Sequence, residues 1–396
     1  MKEDKKESIN EITQILDFAN MVFSMSSGSV DFERLLPKAY SQERSNLLTH
    51  HLMKEAGQIK AFIDVFPMNL RMDKESLKAG YIGTVSVHPK SRGKNYMITL
   101  MEEVEETQRQ EKTDLLILDG NRKRYQYFGF EKAGIKYCFN LTSDSVRHTC
   151  LSITNNENRN KEKDYQFVLL EREEETLIEK AYSLYKQRNV ITRESEELYL
   201  YLESWEADTY IVLEDEICIG YLNVSADERN ILEFELEEMK ELPFVLQAFM
   251  EEIGSDELGI NVGMDEIEKI EQLESTCDYY TLNTSHQIKI LNYEKVLAFL
   301  LQWKSRITCL EEGTFIIGVC RVNGEKKNYE MQHQNGRVSV RETRKQAQIA
   351  LEEKELIKVL TTSYYYHAMQ KENNPLWQAP KGWFPLPFFL PEADAF

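Results

Sequence analysis

Apolar residues recur at helical spacing from Ile9 to Met25, with Ile12, Ile15, Leu16, Ala19, Val22 and Phe23 on one face and Ser26-Ser27-Gly28 as the stop. The period then becomes strand-like. Asn46–Met53, Gln58–Phe66 and Tyr81–Val87 read as a meander whose first turn is Glu55-Ala56-Gly57. Tyr81–Val87 is rich in β-branched residues and is stopped by His88-Pro89. After the turn Pro89–Asn95 a helix is expected from Tyr96, with Met97, Leu100, Met101 and Val104 on one face. Asp114–Leu118 is a short apolar strand, so the strand–helix–strand order predicts a right-handed parallel crossover.

From Ile153 to Gln166 the chain turns polar and cannot form a core, which predicts a surface connection and a domain boundary near Leu151. Beyond it the pattern predicts a helix over 173–187 and a hairpin over Thr209–Val224 that turns at Glu214-Asp215-Glu216. A strand Ile231–Leu236, a helix over 240–253 and a strand Gly259–Val262 then repeat the earlier order. This repeat has no phosphate loop, because Glu237, Glu238 and Glu241 stand where an anion would approach. Gln287–Gln302 opens a third unit with a strand and an apolar-faced helix, followed by strand-forming stretches Gly313–Glu325 and Lys327–Val340 and helices over 345–351 and 353–361. The expected class is α/β (α+β) with mixed sheets flanked by helices, divided as 1–150, 151–285 and 286–396.

At 396 residues two or three cores are expected. The balance of 48 Lys+Arg against 67 Asp+Glu, a net charge of −19, argues against a nucleic-acid backbone as partner and suits an amine-bearing one. Cys138, Cys150, Cys218, Cys277, Cys309 and Cys320 are scattered without a Cys-x-x-Cys, which suggests neither a disulfide framework nor a zinc knuckle. His50 and His51 have no companion at metal spacing, so no metal is expected. The charged start Met1–Glu7 is not followed by an apolar stretch and no long apolar run occurs, so a cytoplasmic protein with no membrane partner is expected.

The first turn of the helix beginning near Asn95 leaves backbone N–H groups at the positive end of its dipole, and Arg92 and Lys94 add charge beside them. That is an anion cradle. Val85–Met97 followed by Leu118–Phe130, the latter containing Tyr125-Gln-Tyr-Phe-Gly-Phe130, resembles the GNAT superfamily of N-acetyltransferases. Its acetyl-CoA loop is usually Gln/Arg-x-x-Gly-x-Gly/Ala. Here Gly93 matches, while Lys90 replaces Gln/Arg and Asn95 replaces the last glycine, a position Asn tolerates better than most residues. The resemblance implies acetyl-CoA as cofactor, held by Val85 and Val87 through their backbones, by Arg92, Gly93, Lys94, Asn95 and Tyr96, and by Asn121. It implies Tyr125 as the general acid that protonates the departing sulfur.

The layout of an active domain, a degenerate copy and a sterol-carrier-like C-terminal domain resembles the enhanced-intracellular-survival bacterial acetyltransferases. Pro375–Pro391 is stiff, aromatic and too apolar for a disordered tail. In that family the last residue is aromatic and its main-chain carboxylate enters the site, which implies Phe396 as a catalytic group. It also implies transfer to a primary amine, of aminoglycoside, polyamine or lysine type, by direct attack in a ternary complex; the partner would be a small-molecule or peptide amine, and a homo-oligomer is compatible. A non-catalytic acyl-CoA- or lipid-binding protein, or a scaffold, is the alternative.

Overall fold

The computed structural model describes residues 2–41, 44, 48–157, 163–188, 190–321, 324–370 and 375–396. A helix Lys2–Ser27 opens the chain and buries Ile15, Leu16, Ala19 and Val22 of the face that its spacing marks, and Phe18 beside them. The meander follows as β1 (Thr49–Glu55), β2 (Gln58–Met72) and β3 (Glu75–Val87), paired antiparallel. Residues 46 and 47, expected at the start of the first strand, lie outside the described residues. The helix Tyr96–Gln110 carries the chain to β4 (Leu115–Leu118), parallel to β3, and the short β5 (Glu131–Lys132) ends this first pass.

The chain then leaves for a second sheet. Its strands are β6 (Lys136–Thr142), β7 (Tyr165–Leu169), β8 (Asp208–Glu214), β9 (Ile217–Val224), β10 (Asn230–Leu236), β11 (Glu257–Gly263) and β12 (Tyr279–Asn283). They order as β12-β6-β11-β10-β9-β8-β7. The expected hairpin turns at Asp215 and Glu216, and the repeated strand–helix–strand is β10, the helix Leu242–Ile253 and β11, with β10 and β11 parallel. Of the polar connection expected over 153–166, residues 158–162 lie outside the described residues, and the helix Ser143–Glu157 occupies its start.

At β13 (Gln287–Ile290) the chain returns and slots antiparallel between β4 and β5, completing the first sheet as β1-β2-β3-β4-β13-β5. The division at 150/151 and 285/286 therefore does not follow the sheets. β6 lies before the first boundary yet sits inside the second sheet, and β13 lies after the second boundary yet sits inside the first. The reason is packing: Ile288 and Ile290 are buried between the layers, and a strand buried this way needs its backbone paired, which β4 and β5 supply. Strand pairing at that sequence separation leaves no local mark.

The helix Tyr293–Ile307 leads to a four-stranded sheet of β14 (Gly313–Cys320), β15 (Lys326–Gln334), β16 (Arg337–Thr343) and β17 (Ile349–Glu352) in the order β16-β15-β14-β17. The helix expected over 345–351 does not form. Ile349–Glu352 pairs parallel with β14 instead, so an available sheet edge overrides helix propensity in this Gln/Ala-rich stretch, and the expected helix starts only at Glu353. One apolar core runs unbroken from the N-terminal helix through β2 and β13 to the helix Tyr293–Ile307, β14 and the C-terminal arm. A separate core lies under β10 and the helix Leu242–Ile253.

The arm is built into the protein. Trp383, Leu386, Phe388 and Leu390 are fully buried. At Gly134 (φ +74°) an added Cβ would lie 1.7 Å from the Phe388 carbonyl oxygen, so only glycine lets the arm pass there. All six cysteines are free thiols. No described helix is long and apolar enough to cross a membrane. Among the described residues no His, Cys, Asp and Glu cluster is arranged to hold a metal ion.

Candidate active site

β3 and β4 pair only from Ala79↔Leu115 to Ile82↔Leu118, where β4 ends, whereas β3 continues to Val87. The strands part at that point. On the other edge the β2–β3 register shifts between Phe62 and Asp64, and Thr84 has φ +52°, which together mark a β-bulge. Val85 and Val87 therefore sit on a stretch of β3 that no strand covers on the β4 side, where an extended chain can add by backbone hydrogen bonds.

Beyond Val87 the turn places Gly93 at φ +82° and Asn95 at φ +63°. Asn95 is the N-cap of the helix Tyr96–Gln110, in left-handed geometry and with no side-chain capping bond. The first-turn N–H groups are thus left for an anion, and a Cβ on Gly93 would meet nothing within 4 Å. Asn95 occupies the left-handed position that a glycine would otherwise fill. Arg92 is exposed beside it. Lys94 is exposed too and is paired: its Nζ lies 3.1 and 3.2 Å from the two carboxylate oxygens of Glu55, which also accepts a hydrogen bond from the Tyr96 hydroxyl. Lys94 thus stands beside the cradle in an exposed ion pair. Glu55, at the end of β1, carries no sequence signal linking it to the turn.

After β4, Asn121 caps the short helix Arg122–Gln126 by accepting from the Arg124 N–H at 3.3 Å, so its side-chain oxygen is engaged in local structure. The helix buries Tyr125 against the core beneath the helix Tyr96–Gln110. A Cβ on Gly120 would fall 2.7 Å from the Tyr125 ring. Burial pushes the Tyr125 phenol above its ordinary value, opposed by Arg124, and keeps it protonated.

The C-terminal residue reaches the same region. The Phe396 ring stacks on Phe66 at 4.4 Å and lies 5.4 Å from Tyr81, and the Tyr81 hydroxyl is hydrogen-bonded by the Phe396 backbone. Groups far apart in the sequence clamp the residues just before it. Lys38 donates to the carbonyls of Ala393 and Ala395, each at 2.6 Å, and the Trp205 Nε1 donates to Ala395 at 3.0 Å. Arg193 grips Asp394 at 2.9 and 2.8 Å and Glu233 at 3.0 and 2.6 Å, all three side chains being buried. Burial pushes the Lys38 ammonium down to about 7 against the pull of Asp394.

Sequence reasoning missed a second group of residues. Asp119, immediately after β4, receives His286 Nε2 at 3.0 Å, the Lys132 ammonium at 3.5 Å and the Tyr81 hydroxyl at 3.5 Å. Burial would raise the Asp119 carboxyl, but His286 and Lys132 outweigh it and hold it below its usual range. His286 directly precedes β13, so it arrives only because the chain returns to the first sheet. Tyr81 thus touches both Asp119 and Phe396, and the charge of Tyr125 is felt at Tyr81. Tyr81, Tyr125, Asp119, His286 and Phe396 gather where β3 and β4 part, with the uncapped helix start at the far end of the same strand. His50 pairs with Asp64 at 2.5 Å, and Asp64, opposite Gly83 on β3, accepts from the Tyr40 hydroxyl at 2.7 Å.

Residues 5–133 match the acetyltransferase (GNAT) domain family, a match that ends with β5. The chain carries an acetyltransferase (GNAT) domain. That domain makes it an N-acetyltransferase. No curated protein matches the sequence. Among solved structures, a GCN5-related N-acetyltransferase from Kribbella flavida has a TM-score of 0.67 at 12% identity, over 97% of this chain and 96% of that one. One from Anabaena variabilis has a TM-score of 0.66 at 14% identity over 98% of each chain. Eis1 from Mycobacterium abscessus has a TM-score of 0.63 at 12% identity, over 96% of this chain and 97% of that one. At these identities the likeness is one of fold, and it extends over all three sheets of the chain.

Proposed function

We propose that the protein transfers acetyl from acetyl-CoA to a primary amine, of aminoglycoside, polyamine or lysine type, by direct attack in a ternary complex. The observation that carries this is the arrangement along β3: an uncapped helix N-terminus and an open Gly93 turn at one end, and Tyr125 with the chain's own terminus at the other. Those residues fit the pyrophosphate and the arm of a coenzyme A thioester. The backbone around Gly93, Asn95 and Tyr96, together with Arg92, would hold the phosphates, and β3 from Gly83 to Val87 would pair with the arm. Bound there, acetyl-CoA supplies an acetyl group activated as a thioester.

The chain's own residues do the rest. The β3 backbone beside the parting point offers an N–H to the acetyl oxygen, where a fixed dipole acts without reorganisation. Tyr125, kept neutral by burial, gives its proton to the sulfur. The Phe396 carboxylate takes the proton of the attacking amine. A free α-carboxylate of pKa about 3.5 is a weak base, so burial would have to raise it or a water would have to relay the proton. The sterol-carrier-like reading of the C-terminal unit belongs to this proposal too, with the β14–β17 sheet as the platform that launches the arm.

Calorimetric titration of acetyl-CoA, followed by CoA release over a panel of amines, tests the reading. Saturable binding with amine-dependent release is expected. Absence of binding would remove it, and binding without release under any amine would favour a non-catalytic acyl-CoA-binding protein.

A further inference from the structure

A cleft of about 390 Å³ opens beside Asp119 and His286, within the size range of small-molecule sites. Ala395 forms part of its wall, so it adjoins the residue proposed above to take the amine's proton. Asp119, Lys132, Lys136 and Glu392 supply its charges. Two are acids and two are bases, so these four balance, with His286 beside Asp119, although the whole chain is at −19. The pairs are loose. Lys132 stands 3.5 Å from Asp119, and Lys136 stands 3.6 Å from Glu392, while Glu392 already accepts a 2.6 Å bond from Asn261. His286 holds Asp119 from the buried side at 3.0 Å and is itself fixed by Ser285 at 3.0 Å.

We infer that this cleft seats the acceptor and that the acceptor is a zwitterion, an amine carrying a carboxylate on the same small molecule, rather than a polycation. The inference rests on the acetyltransferase reading above. A polycation entering a balanced cleft gains contacts at two acids and meets two ammonium groups, whereas an amino acid or short peptide matches both signs. Position fixes the orientation. Asp119 follows the last residue of β4 and accepts from the Tyr81 hydroxyl, which the Phe396 backbone also meets, so it takes the amine end; Lys136, at the start of β6 and paired with Glu392, takes the carboxylate. Hydrogen bonds between ions of this kind are about twice as strong as neutral ones.

The experiment uses the full chain with acetyl-CoA and measures CoA release with lysine, lysinamide, 1,5-diaminopentane and an aminoglycoside. These acceptors share a primary amine and differ in whether the acid is present, neutralised or absent. The expected result is a kcat/KM for lysine at least about tenfold above the other three, carried by KM, with Lys136→Gln erasing the lysine–lysinamide difference. Equal or better turnover of the diamine, the amide or the aminoglycoside would overturn the inference and leave the acetyltransferase reading standing. No release with any of the four, while acetyl-CoA still binds, would overturn both.

Discussion

Replacing Arg193 with Met removes the cation shared by Glu233 and Asp394 without opening a large cavity. Both carboxylates are buried, with 2% and 0% of their side chains exposed, so neither gains water when the guanidinium goes. Breaking a buried pair by removing one partner costs about 3–5 kcal/mol. Asp394 lies two residues from the terminus on a docked arm, so the cheapest relief is release of the last residues. At tenfold per about 1.4 kcal/mol, the population with the terminus undocked rises roughly two to three and a half orders of magnitude. Carboxypeptidase trimming, followed by intact mass, reads that population when docking is fast relative to cleavage. The sign with pH is fixed: burial already pushes the Asp394 carboxyl up, and without Arg193 its folded pKa lies further above the unfolded value. The penalty is then full above that raised pKa and fades as pH falls and the acid neutralises. Trimming of Arg193→Met is therefore expected to be faster at pH 8 than at pH 5.5. A folded mutant trimmed within about threefold of the parent at both pH values, where about 1.4 kcal/mol would already give tenfold, would refute the clamp.

Three further outcomes concern the cofactor end and the acid. Gly93→Glu is expected to weaken acetyl-CoA binding in titration calorimetry, by adding strain at φ +82° and like charge at an anion site, while Asn95→Gly is expected to bind as well or better, since glycine accepts φ +63° without strain. Glu55→Gln removes the carboxylate that engages Lys94 and is expected to tighten binding by about two- to fivefold, the scale of an exposed ion pair; unchanged affinity would show that Lys94 does not reach the phosphates. Tyr125→Phe is expected to retain acetyl-CoA binding and lower kcat by about a hundredfold or more. Because burial raises this phenol, the descending limb of kcat in the parent belongs above about pH 10, and a limb well below that would assign the acid elsewhere.

What the sequence disclosed was local. The periodicity of β3, the helix after it and β4 gave the crossover, and Gly93 and Asn95 marked a turn that needs left-handed angles. The apolar character of Pro375–Pro391 argued against a disordered tail, and Trp383, Leu386, Phe388 and Leu390 are buried in it. What it concealed was pairing at a distance. Nothing around Gln287–Ile290 says that this strand belongs between β4 and β5, and the arrival of His286 beside Asp119 follows from that placement alone. The same holds for Glu55 over the cradle and for Arg193 under the terminus, each a charge whose partner lies on another element. Ile349–Glu352 shows the converse, a stretch with helical preference captured by the edge of β14.

The terminal carboxylate of Phe396 cannot be removed by a side-chain substitution, but it can be moved. Adding two residues after Phe396 converts it to a neutral peptide and carries the charge away from Tyr81 and Asp119, while the helix start at Tyr96 lies at the other end of β3 and is untouched. CoA release by the extended and the native chain, compared across pH with acetyl-CoA affinity measured in parallel, is the most direct test. The expected result is a steep loss of kcat, about a hundredfold or more, with acetyl-CoA affinity unchanged. Full activity of the extended protein over the whole pH range would contradict the account and leave the amine's proton to another group.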